Sequence, residues 1–175
     1  IIFIADIFSE NPYKSFWSNY ERMEGFVLLA HLFMYYIVAS SVLDLNVWKK
    51  YLATSIFASG LMAVYGLFQI MGAVTINQGG VRVDATFGNA TYLAIYLVFH
   101  IFLSLYMIVR EDKTWLKYTY ASIAVLETIV LYFTATRGAI LGLIGGLFLA
   151  GVFVLWKERE NKIYKKISFG ILGGI

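Results

Sequence analysis

Cysteine is absent from all 175 residues, which removes a disulfide framework, a thiolate nucleophile and a cysteine-based zinc centre together. Charge is scarce as well. Asp, Glu, Lys and Arg make up 14% of the chain, against about 25% in an ordinary soluble domain. Proline occurs once. What replaces the charge is apolar: 60% of residues by the broad count, 18% aromatic, with a mean hydropathy of +0.73. A pI near 9.0 raises nucleic acid as a partner. The basic residues nevertheless stand in short clusters between apolar runs, the pattern of an integral membrane protein, so the expected partner is a lipid bilayer and not nucleic acid.

The apolar runs cover residues 26–43, 51–71, 91–109, 118–135 and 139–156. Each is about long enough to cross a ~30 Å hydrocarbon core at ~1.5 Å per residue. Two further runs, 1–8 and 167–175, meet the ends of the sequence; as helix each would extend only ~12–14 Å. The first has no initiator Met, no basic flank and no cleavage site, so it does not read as a signal peptide. The expectation is an all-α polytopic transmembrane bundle with five full spans and two truncated ones. It forms a single domain that is an internal segment of a larger protein.

Orientation follows from the basic residues. Loops 44–50, 110–117 and 157–166 hold ten Lys and Arg, whereas loops 9–25 and 72–90 and a tight turn at 136–138 hold four. The positive-inside rule makes the first set cytoplasmic and the second outer. Trp48, Trp115 and Trp156 stand beside the cytoplasmic bases and Trp17 on the outer side, as interfacial belts do.

The two faces also differ in kind. Eight of the ten cytoplasmic bases are lysines, while three of the four outer ones are arginines: Arg22, Arg82 and Arg137, one per outer loop, with Lys14 the exception. Lysine suits a solvated point charge, whereas the planar guanidinium suits bidentate contact with phosphate or carboxylate. If the helices form one bundle, the three guanidiniums converge on one outer mouth, where they can clamp a diphosphate. The competing reading leaves each arginine on lipid phosphates or on a helix C-terminus. Arg137 stands instead at a helix start, where peptide dipoles add positive potential that only an anion relieves.

The outer loops carry further signals. Residues 11–25, "NPYKSFWSNYERMEG", combine aromatic and amide side chains that either stack on sugars or anchor at the interface. In residues 76–94, "INQGGVRVDATFGNATYLA", an alternating Val81–Thr86 stretch predicts extended backbone, with Asp84 orienting Arg82. Gly88 fits either an unusual conformation or a close backbone approach, and Asn89 is placed to cap the helix that starts near Thr91. His31, ~8 Å below the outer face, either lines the mouth or packs as a hydrogen-bonded core histidine. His100 and Glu127 both lie ~13 Å deep from opposite sides, which predicts a structural pair in preference to a proton relay. Gly138, Gly142 and Gly146 give small-xxx-small spacing, so a neighbouring helix is expected against that face. The outer loops show no carboxylate cluster of the magnesium type, so no metal is expected.

"RVDATFGNATYLAIYL" (82–97) and "TATRGAILGLIGG" (134–146) together resemble the membrane core of the O-antigen ligase and polymerase family. In that family a run similar to "STFGNPNYLA" precedes one helix and "T-x-S-R-G-A-x-L-G" opens another. Thr86, Phe87, Gly88, Asn89, Tyr92, Leu93 and Ala94 match the first run; Thr134, Arg137, Gly138, Ala139, Leu141 and Gly142 match the second. Ala90 and Thr91 replace the usual Pro-Asn, and Thr136 replaces Ser while keeping its hydroxyl. "SNYERMEG" (18–25) is similar to the corresponding segment of bacterial members.

The resemblance implies a GT-C-like glycosyltransferase of lipopolysaccharide or related cell-envelope synthesis in the bacterial inner membrane. Such proteins move a glycan from an undecaprenyl diphosphate carrier to an acceptor glycolipid, glycan or protein at the outer face, with no cofactor. It assigns Arg82 and Arg137 to the diphosphate by motif and Arg22 by loop position. Asn89 and Thr136 lie inside the motifs and join the candidate substrate-binding set with His31. The family's catalytic histidine sits in a large outer loop further along, which would follow Ile175. A different class stays open: an outward-facing transporter of an anion or lipid-linked glycan, which should show interrupted helices and internal repeats. Neither is visible in the sequence.

Overall fold

The computed structural model describes residues 1–19, 24–77 and 80–157. All regular structure among them is helical: α1 (Ile2–Ile7), α2 (Pro12–Trp17), α3 (Phe26–Val42), α4 (Leu45–Ile70), α5 (Ala90–Arg110), α6 (Thr114–Phe133) and α7 (Arg137–Lys157). The chain divides into two compact units, Ile1–Trp48 and Lys49–Ile175.

In the first unit the expected loop 9–25 contains a helix. Asn11 accepts a hydrogen bond from the Lys14 N–H at 3.2 Å, and Pro12 occupies the first turn, where its missing N–H costs nothing. Phe16 meets Trp17 edge to face and Phe26 at a tilt, and Phe3 meets Phe26 with ring centroids 5.0 Å apart. Gly25 leaves no room for a side chain against the Phe16 carbonyl. Asp44 accepts the Val47 N–H at 2.7 Å, and this cap starts α4 at Leu45. The expected cytoplasmic loop 44–50 is therefore mostly helix.

Among the described residues three helices are long and apolar enough to cross a membrane: α4, α5 and α6. That composition suggests a membrane protein. Five such spans were the sequence expectation. Of the other two, α3 is an apolar helix of 17 residues and α7 one of 21, described as apolar over Arg137–Phe153. The run 167–175 lies outside the described residues, as does loop 157–166 beyond its first residue.

The second unit is held by two apolar clusters. One joins Ala63 of α4, Leu93, Leu97 and Ile101 of α5, Val130 and Leu131 of α6, and Leu143 of α7. The other joins Ile56, Met107 and Tyr120 from α4, α5 and α6. The antiparallel α5–α6 connection is short, and Glu111 organises it by accepting the N–H groups of Lys113 and Asp112. Those two bonds hold its carboxyl below the ordinary range. Lys49 reaches the Arg110 carbonyl at 3.4 Å, placing a cation at the C-terminus of α5.

The close helix approaches fall elsewhere than the glycine stripe of α7 suggests. A Cβ at Gly138 or Gly142 would meet nothing within 4 Å. Only Gly146 of that set is crowded, with the Phe102 ring 2.5 Å from where a Cβ would stand. The tight contacts belong to α4, where Gly60 faces Ile123 at 3.3 Å and Gly66 faces Val130 at 2.7 Å. Period alone defines a face; it does not tell which partner that face meets.

Candidate functional site

The loop from α4 to α5 is built around one amide. Gln69, in the last turn of α4 and 3% exposed, donates through Nε2 to the Thr75 carbonyl at 2.9 Å and to Asp84 Oδ1 at 2.8 Å. Its Oε1 accepts the backbone N–H of Ala85 at 2.8 Å and of Asp84 at 3.3 Å. Asp84 Oδ2 also accepts the Asn77 N–H at 3.2 Å. The amide thus does for this loop what a strand partner would do, satisfying backbone groups that are buried. The expected extended Val81–Thr86 alternation is accordingly absent. Val83, Asp84 and Ala85 are buried in succession, and Ala85 turns at a φ of +46°.

Two further features aim this loop at the α6–α7 corner. The Val83 N–H donates to the Phe133 carbonyl at 3.3 Å. Next to it Arg82 donates through Nε to the Thr134 carbonyl and through Nη2 to Thr136 Oγ1, both at 2.9 Å. Asp84 does not orient Arg82; its carboxylate is turned into the Gln69 cluster, and the arginine is held by the two threonines. The corner itself is Thr134–Thr136, a little before the turn expected at 136–138. Ala135 supplies the reversal at a φ of +50°, and Arg137 and Gly138 already belong to α7. Gly88 sits at a φ of +64° with nothing within 4 Å of a Cβ position, so it serves conformation and not close approach. Asn89 Oδ1 accepts the Thr91 N–H at 2.8 Å and caps α5 as its position suggests.

The arrangement brings Arg82, Thr136 and Arg137 together and sets Asn89 in the same loop as Arg82. Arg82 uses two of its five N–H groups on the threonines, so the rest of its fork is open. Arg137 is exposed and has no hydrogen-bond or ion-pair partner among the described residues. Arg22 lies outside the described residues. His31 belongs to the first unit, is exposed, and bonds through Nδ1 to the Val27 carbonyl at 2.7 Å. The structure thus assembles part of the expected set.

His100 and Glu127 are both buried, but neither satisfies the other. His100 Nε2 meets Ser55 Oγ at 2.9 Å and Glu127 Oε1 meets Ser59 Oγ at 2.5 Å. The two serines stand one turn apart on α4 and intercept both groups. Among the described residues no group of three His, Cys, Asp or Glu could hold a metal.

Family models, curated proteins and solved structures give no match to this chain.

The chemistry at the corner is therefore read from its own geometry. One guanidinium, that of Arg82, reaches this three-residue turn, and Arg137 follows the turn directly at the start of α7, with the nearest carboxylate in the loop committed elsewhere. Such a concentration of unneutralised donors fits a polyvalent oxyanion. Gln69, Thr134 and the α4 serines are absent from the sequence-based set. Gln69 signals itself only as a lone polar side chain inside an apolar run.

Proposed function

We propose that this chain belongs to the membrane core of a glycosyltransferase of the O-antigen ligase type. On this reading it transfers a glycan from an undecaprenyl diphosphate carrier to a glycolipid, glycan or protein acceptor at the outer face of the bacterial inner membrane. The observation that carries the reading is the Arg82–Thr136–Arg137 arrangement, in which a buttressed guanidinium and an exposed one share a corner without a carboxylate partner. The two motifs that resemble this family are the two segments that meet there.

In such a transfer the glycosyl carbon passes to the acceptor oxygen and the diphosphate departs with the bonding electrons. Charge builds on the diphosphate oxygens as the bond breaks. Arg82 and Arg137 would stabilise that charge, Arg82 from a fixed position because Thr134 and Thr136 hold its head group. A base is needed to take the acceptor proton. Asp84 is fully buried and bonded to Gln69, so it is not assigned that role.

The test is Arg137→Lys in the full-length protein, assayed in purified membranes with undecaprenyl diphosphate-linked donor and matched expression. Lysine keeps the charge but not the fork. The expected loss is ~2–4 kcal/mol of transition-state stabilisation, or roughly 30- to 1000-fold in rate. Arg137→Ala should be worse, and Lys14→Ala nearly silent. Near-normal transfer by Arg137→Lys would remove the clamp. Vesicles that move a lipid-linked glycan or anion across the bilayer, without forming product, would favour a transporter instead.

A further inference from the structure

Midway along the second unit a polar layer interrupts the apolar packing. Ser59 on α4, His100 and Ser104 on α5, and Glu127 on α6 are each 7% exposed or less. Along each helix they lie among the residues of the two apolar clusters: Ser59 between Ile56 and Ala63, His100 between Leu97 and Ile101, Ser104 between Ile101 and Met107, and Glu127 between Tyr120 and Val130. Glu127 is fully buried, and its Oε2 has no hydrogen-bond partner.

Among the described residues no cation faces this carboxyl. On α4 the polar groups here are Ser55 and Ser59; on α5 they are Tyr96, His100 and Ser104. Thr128, beside Glu127 on α6, is bonded to the Ala124 carbonyl, and α7 contributes Leu143 to the core. The His100 ring is satisfied while neutral: Nδ1–H donates to the Tyr96 carbonyl at 2.8 Å, and Nε2 accepts the Ser55 hydroxyl at 2.9 Å. The described basic side chains of this unit stand at or beyond the helix ends.

Ser59 then fixes the direction of the remaining bond. Its hydroxyl lies 2.8 Å from the Ile56 carbonyl and 2.5 Å from Glu127 Oε1, and it has one proton. The carbonyl can only accept. Both contacts are satisfied together when Ser59 donates to Ile56 and Glu127 donates to Ser59. An ionised carboxylate would compete with the carbonyl for that one proton. It would also leave Oε2 charged and unsolvated in an apolar interior. We propose that Glu127 is a proton-binding site inside the bundle, a neutral carboxylic acid whose O–H fastens α6 to α4 through Ser59. Loss of the proton sets the carboxylate and the Ile56 carbonyl in competition for the one serine proton and obliges water or a cation to reach Oε2, so the site couples proton occupancy to the α4–α6 contact. The inference is independent of glycan transfer.

The experiment is infrared difference spectroscopy on the full-length protein in lipid bilayers at neutral pH, comparing wild type with Glu127→Gln. The glutamine amide can replace the O–H donor to Ser59 and preserve packing. The expected difference is the C=O stretch of a protonated carboxyl, shifted by exchange into D2O. A pair of carboxylate stretches in its place overturns the proposal. Should Glu127→Gln not fold, wild type against Ser59→Ala decides. A protonated Glu127 that loses its acceptor moves its C=O band to higher frequency, whereas a change confined to carboxylate bands overturns the assignment.

Discussion

Replacing Gln69 by leucine removes the centre of the α4–α5 loop while keeping its volume, so the cost is polar and not a cavity. Three well-formed bonds at 2.8–2.9 Å disappear, those to Thr75 O, Asp84 Oδ1 and Ala85 N, together with the longer one at 3.3 Å from Asp84 N. The neutral groups left without this partner cost ~1–3 kcal/mol each, and a bond to a carboxylate is worth ~1.5–3 kcal/mol. These terms share one side chain and do not add fully, so ~3–6 kcal/mol is the reasonable range. For a chain of this size that lowers the melting temperature by on the order of 10 °C. The assay is thermal unfolding of the full-length protein in detergent, with limited proteolysis to report on residues 71–89. Gln69→Leu should melt early and be cut in that loop, while Gln69→Glu, which sets a second carboxylate against Asp84, should fare no better. An unchanged melting temperature with an equally protected loop would refute the idea that this amide organises the site.

Glycine substitutions should have opposite signs on different helices. Gly66→Ala puts a methyl 2.7 Å from stiff, fully buried Val130 and should destabilise by ~1–3 kcal/mol, whereas Gly142→Ala meets open space and should gain up to ~1 kcal/mol of helix propensity; chemical denaturation reads both. Ala135→Gly relieves a left-handed backbone at φ +50° and should stabilise by ~1 kcal/mol, measured in the same way. Thr136→Val removes the Nη2 acceptor of half-buried Arg82 and should cost ~1 kcal/mol, while Thr136→Ser should match wild type in thermal unfolding.

The helix ends were legible where local chemistry sets them. Asn89 caps α5 through an Asx side chain two residues from the N–H it accepts, and the 91–109 run differs from α5 by one residue at each end. The α6–α7 turn was less so. Sequence places the tight turn at 136–138, but the reversal comes at Ala135, which takes the left-handed conformation beside Thr134, whose carbonyl accepts from Arg82. The depth of His100 and Glu127 could be counted from the span ends; their partners could not, because serines on a third helix are visible only when the helices are assembled. Of the site, the arginines stand out by charge against an apolar background. The Gln69 cluster joins residues up to sixteen apart through backbone groups that carry no sequence signal.

The Arg82–Thr134 bond links residues fifty-two positions apart, and this sets an order on how the unit can be made. At synthesis rates of ~5–20 residues per second, about 3–10 s separate the appearance of the arginine from that of its acceptor. The Gln69 cluster spans fifteen to sixteen residues and can close within about 1–3 s. The loop thus acquires its internal shape while α6 is still unmade, and Arg82 waits with its head group unanchored. The corner where Arg82 meets Thr134 and Thr136 is consequently a late product of assembly, and a nascent chain halted after α5 would carry the loop without it.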